Sequence, residues 1–214
     1  MEKEDKEENR MKNIALIGSG GINSYAAENV NNLIKDFELM DVFVKVFDDD
    51  VVEEKNLINR NQNFTEEDLM LQKAEVIGKR YTLDFENIRI TEENISKLEK
   101  FDIIMLGVDN NKSRKMLYEY AINNKKIVID LRAQGTNIMY VVVDGSKDME
   151  YYNNEYFKNA ETMEKHGSCQ LQHSINNKHI ENGNRVIASL GVWGLLLKHI
   201  RGEQIARKEY KMVY

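Results

Sequence analysis

Apolar residues recur along this chain in short runs, separated by longer stretches with helical spacing. Strand-length runs fall at Asn13–Ile17, Val42–Phe47, Asn87–Ile90, Ile103–Leu106, Lys126–Asp130 and Met139–Val143. They are rich in Ile, Val and Phe, side chains that pack well on a pleated surface. Helix-length stretches lie at Ile22–Lys35, Glu66–Tyr81, Asn94–Leu98, Lys112–Asn123 and Arg185–Arg201. Within Glu66–Tyr81 the positions Leu69, Lys73, Val76, Ile77 and Arg80 recur on one helix face. Alternation of strand and helix predicts an α/β, Rossmann-like fold, with a mainly parallel sheet and helices on both faces. The polar segment Ser146–Gly183 breaks the alternation. It predicts a long irregular crossover before the last helix, a length that is often functional in a compact domain. The pattern divides the chain into a charged tail over residues 1–12 and one folded unit over 13–214.

Composition narrows the classes. Of 214 residues, 42% are apolar and 31% charged, with a net charge of −6. That balance argues against binding nucleic acid through a general basic surface. No apolar stretch approaches the roughly 20 residues of a spanning helix, so no membrane partner is expected. The opening MEKEDKEENR has no apolar core and does not read as a secretory leader. A single cysteine, Cys169, excludes an intrachain disulfide and a four-cysteine zinc site within the chain. His166, His173, His179 and His199 form no metal-binding spacing. A cytoplasmic location fits these features.

The chemistry begins at residues 13–24, NIALIGSGGINS. A strand runs into Gly18, Gly20 and Gly21, and a helix follows. This order presents backbone N–H groups to a phosphate. The dinucleotide fingerprint ends on a third spaced glycine, and Asn23 stands in that place. The second strand ends in Asp48-Asp49-Asp50. A carboxylate there can accept hydrogen bonds from ribose hydroxyls, and Asp48 directly follows the apolar run. The alternative for three consecutive acids is a solvated strand end. Downstream come NLINRNQ (56–62), Lys73-Ala74 and Asp109-Asn110 with Arg114.

This ordered set resembles the ThiF/MoeB/HesA superfamily, the ubiquitin-activating-type adenylating enzymes. The family pattern is GxGGxGS, then DxDxV…NLxRQ, a KA pair and DNxxxR. Here it reads GSGGINS, DDDVV…NLINRNQ, Lys73-Ala74 and Asp109-Asn110…Arg114, over roughly Asn13 to Ile200. Asn23 replaces the last glycine of the loop, and NLINRNQ carries one extra residue. Arg60 is taken as the family arginine because Lys73 follows it by 13 residues, the family's spacing.

The resemblance implies a nucleotide site made from Gly18, Gly20, Gly21, Asp48, Asp50, Asn56, Arg60, Lys73, Asp109 and Asn110. It implies ATP and Mg²⁺, with Asp109 as the metal ligand. Arg60, Lys73 and Asp109 would serve adenylation by placing charge on phosphoryl oxygens. Cys169 would serve a later transfer step; its alternative is a buried thiol. Arg114 would pair with Asp109 or shape the site from behind. The implied substrate is the C-terminal glycine of a small ubiquitin-like or sulfur-carrier protein ending in Gly-Gly, and the implied assembly is a homodimer. Two other readings stay open. One is a non-catalytic nucleotide-binding or scaffold subunit. The other is a nicotinamide-dependent oxidoreductase, which leaves Lys73 and Asp109-Asn110…Arg114 unexplained.

Overall fold

The computed structural model describes residues 11–158 and 179–213. Four parallel strands form one side of its sheet: β1 (Lys12–Ile17), β2 (Val42–Phe47), β3 (Asp84–Glu86) and β4 (Ile103–Leu106). β5 (Ile127–Gln134) runs parallel to β4, whereas β6 (Asn137–Val143) and β7 (Glu209–Met212) continue antiparallel. The order across the sheet is β3-β2-β1-β4-β5-β6-β7. The chain reverses direction across the sheet between β1 and β4, which makes the carboxyl ends of these strands the natural ligand crevice. The β5–β6 turn is Gly135-Thr136, with Gly135 at φ +62°, a backbone state that needs no Cβ.

Alternation along β1 feeds two cores. Ile14 and Leu16 face one, with α1 (Asn23–Asp36), α3 (Lys73–Tyr81) and α6 (His179–Ser189) packed over them. Ala15 and Ile17 face the other, under α4 (Asn111–Asn123) and α5 (Met149–Tyr152). A short helix α2 (Glu54–Leu57) follows β2. After α6 the chain continues through a π-helical stretch, Leu190–Leu196, into α7 (Leu197–Ile200). No helix among the described residues is long and apolar enough to cross a membrane.

Several boundaries differ from those expected. β1 begins at Lys12, inside the span assigned to the tail. The third strand lies at Asp84–Glu86 rather than Asn87–Ile90, because Ile88 and Ile90 pack into the second core instead of extending the ladder. β5 runs past Asp130 to Gln134, since β6 pairs with it along that whole length. β7 lacks a sequence signal; it is short, and Tyr210 earns its place by stacking on Tyr140 at 5.8 Å. The expected single helix Glu66–Tyr81 is broken. Only Glu66–Asp68 forms a 3-10 turn before α3 starts at Lys73. Between them Met70 adopts φ +67°, and its N–H donates to the Val52 carbonyl at 2.9 Å. Pairing with Val51-Val52 overrides helical periodicity and puts Lys73 at a helix N-terminus.

Candidate functional site

The glycine loop leaves β1 with Gly18 at φ +78°, and a Cβ there would press on Val108 and Gly107 within 3.3 Å. Gly20 has no neighbour within 4 Å of its Cβ position, so its backbone faces open space. Gly21 is required by a neighbour: its Cβ would lie 2.6 Å from the Asn184 amide nitrogen. The three glycines thus do different work.

Asn23 resolves the departure from the glycine fingerprint. It is buried at the start of α1, and its side-chain amide donates to the carbonyls of Ile17 at 3.1 Å and Met105 at 3.4 Å. The space that a third glycine normally opens between helix and strand comes instead from Gly107. A Cβ on Gly107 would stand 2.6 Å from Asn23 Cγ. The asparagine therefore ties together the ends of β1 and β4 without filling the loop.

Asp48 sits directly behind that loop. Its carboxylate accepts from Ser19 N at 2.5 Å, from Ser19 Oγ at 3.0 Å and from Asp50 N at 2.8 Å. Burial pushes its pKa up, against the pull of these N–H donors and of Lys73. Lys73 is buried and its ammonium meets Asp50 at 3.1 Å, while its backbone N–H donates to the Asp50 carbonyl at 2.9 Å. A cleft of about 250 Å³ opens here between Asp49, Asp50, Val51, Glu53, Lys55 and Lys73.

Arg60 lies in an irregular turn. Asn59 and Arg60 both have positive φ, 50° and 53°. Tyr25 donates its hydroxyl to the Arg60 carbonyl at 2.6 Å, and Asn184 donates to the Asn61 carbonyl at 2.9 Å. The Arg60 side chain is 75% exposed and approaches Glu181 at 3.9 Å. Asp109 is exposed just beyond β4, next to the Val108 that touches Gly18.

Two expected site residues have structural duties of their own. Asn110 caps α4 by accepting from Ser113 N at 2.7 Å. Asn56 closes a capping box at α2 by accepting from Glu53 N at 2.8 Å. Arg114 does not pair with Asp109; its guanidinium binds the Val108 carbonyl and the Asp130 carboxylate, and so shapes the loop from behind. Asp130 is fully buried, and it also accepts from Tyr118 at 2.7 Å and from Arg132 at 2.8 Å. Burial pushes its pKa up, but the charges of Arg132 and Arg114 outweigh this, and the net shift is down. Cys169, with His166 and His173, lies outside the described residues.

Sequence reasoning missed Ser19, Gly107, Asp130, Arg132 and Asn184. Gly107 carried a faint signal, a small residue directly after a strand. Ser19 and Asn184 act on partners remote in sequence, and the Asp130–Arg132 pair, two residues apart, is joined by Arg114 and Tyr118 only through the fold.

The sheet order and the loop at its switch point define a doubly wound, Rossmann-like α/β domain. The model of the ThiF family matches residues 1–209, and the chain belongs to that family. No curated protein matches it. Solved structures share the fold. The crystal structure of E. coli MccB with ATP superposes with a TM-score of 0.69 at 16% identity, over 98% of this chain and 62% of that one. E. coli MccB with AMPCPP and MccA gives 0.69 at 16%, over 97% and 65%. PaaA gives 0.63 at 15%, over 97% and 74%. The chain thus spans less than two thirds of the length of these MccB chains.

Proposed function

We propose that this chain joins a substrate carboxylate to the α-phosphate of ATP and expels pyrophosphate. The observation that carries this reading is convergence. Gly18–Gly21, Asp48, Lys73 and Asp109 all gather at the carboxyl edge of β1, β2 and β4 in a ThiF-family chain. The structures of MccB with ATP, and with AMPCPP and MccA, support a nucleotide and a small peptide as the substrate pair.

A carboxylate oxygen attacks the α-phosphorus, and the bond to the β-phosphate bridge breaks. Negative charge grows on phosphoryl oxygens, so the chain's task is placing cations and N–H donors. The open backbone at Gly20 offers donors where no side chain intrudes. Lys73 offers an ammonium from a helix N-terminus, where the helix dipole adds to its charge. Arg60, exposed at the surface, offers a planar fork. Asp48 retains acceptor capacity for ribose hydroxyls beside the loop it braces, while Asn56 and Asn110 hold the surrounding backbone. The donor set fits Mg²⁺, a hard cation that takes carboxylate oxygen and phosphate together. Asp109 would hold it, and the ion would supply charge neutralisation on the phosphates.

The acceptor is the terminal carboxylate of a short peptide or of a ubiquitin-like or sulfur-carrier protein ending in Gly-Gly. A homodimer in the cytoplasm and a subsequent transfer to Cys169 complete the reading. The test is exchange of labelled pyrophosphate into ATP with a panel of both acceptor types. Exchange that depends on one acceptor supports adenylation. ATP binding without exchange across the panel supports a scaffold subunit instead.

A further inference from the structure

Arg89 stands outside every motif, just past β3. Its backbone is anchored: Asn94 donates to the Arg89 carbonyl at 2.8 Å, and Thr91 N donates to Asn94 Oδ1 at 2.8 Å. From there the guanidinium crosses to the acidic turn after β2. Nε meets Asp49 Oδ1 at 3.0 Å and Nη2 meets Asp50 Oδ1 at 3.5 Å. The other oxygen of Asp50 meets Lys73 Nζ at 3.1 Å. One carboxylate is therefore shared between two cations, Arg89 with its side chain 59% exposed and Lys73 with its side chain 7% exposed.

Exposed ion pairs add little to stability, so scaffolding explains the Arg89 contacts poorly. Electrostatics explains them better. Asp48, Asp49 and Asp50 have carboxylate oxygens within 4.8 Å of one another, a poor entrance for a polyphosphate. Lys73 is buried beside them, and its pairing with Asp50 competes with any phosphate. A second cation on Asp50 weakens that competition and offsets the acids at the cleft mouth.

We infer that Arg89 is a positioning residue for Lys73: by holding Asp49 and Asp50, it leaves the Lys73 ammonium available to a nucleotide phosphate. This rests on the adenylation reading and adds a residue that the family pattern does not contain.

Calorimetric titration of the full chain with MgATP and with adenosine tests it. Arg89→Gln is expected to weaken MgATP about fivefold, the scale of one exposed charge contact, while adenosine binds as before. The exchange assay should show the same rise in KM for ATP with kcat little changed. Added salt should narrow the gap between variant and wild type. Arg89→Lys, which keeps the charge, should recover most of the loss. Unchanged MgATP affinity in Arg89→Gln, or equal losses for MgATP and adenosine, overturns the inference alone. A wild-type chain that binds no MgATP removes the adenylation reading, and this inference with it.

Discussion

Two clusters in this molecule each set one aspartate between two cations, and they differ in what they leave to solvent. Around Asp130 the carboxylate is enclosed. Arg114, Arg132 and Tyr118 surround a carboxylate with no exposed surface. Around Asp50 the carboxylate is 53% exposed, and Lys73 and Arg89 reach it at the wall of a cleft. In the first cluster both carboxylate oxygens are taken by donors from the protein, and the carboxylate is closed to solvent. In the second, a phosphate can replace a carboxylate as the partner of Lys73. The DNxxxR motif spans both kinds of environment. Asp109 is exposed at the site, whereas Arg114 is buried and holds the loop that carries it.

The comparison can be broken most forcefully at Asp130. Asp130→Ala leaves two guanidinium groups without their buried partner and should cost about 3–5 kcal/mol in denaturant unfolding. Its pKa is depressed in the folded state. Its stabilisation is therefore fully present above the ordinary carboxylate pKa and is lost as pH falls through the lower folded value. Wild type should lose stability over that acid window, and Asp130→Asn should show a flatter pH profile. Equal slopes for the two proteins would contradict the assignment.

Asp109→Ala should have the opposite signature. We expect pyrophosphate exchange to fall by about a hundredfold or more, while unfolding stability changes by less than about 1 kcal/mol. Near-normal turnover would defeat its role as the Mg²⁺ ligand. Asn23→Ala lies between the two. It removes two hydrogen bonds to strand carbonyls and should cost about 1–2 kcal/mol, read by chemical denaturation. The smallest effect is expected for Cys169→Ala. Exchange should be unaltered, and only a covalent acyl-enzyme, read by intact mass, should disappear. Loss of exchange would point instead to a structural thiol.

What was legible in the sequence was local. The strand, glycine turn and helix over residues 13–24 follow from neighbouring residues, and the structure reproduces them. Lys73 and Asp109 were also visible, as motif residues in order. The meaning of Asn23 was not, because the space beside it is made by Gly107 on another strand. The start of α3 was hidden for the same reason. A bridge from Val51 to Gln72 cuts the helical period, and no window over Glu66–Tyr81 contains Val51. Arg89 reads in sequence as one more surface cation; only the fold brings it to Asp49 and Asp50.

The central claim is that the exposed cluster at the carboxyl edge of β1, β2 and β4 takes the phosphates of ATP. Calorimetric titration of wild type and Lys73→Ala with MgATP, with a nicotinamide dinucleotide as the competing ligand, tests it most directly. Wild type is expected to bind MgATP and not the dinucleotide, and Lys73→Ala to lose most of that affinity while remaining folded. Binding of the nicotinamide dinucleotide with none of MgATP, or equal MgATP affinity in both proteins, would contradict it.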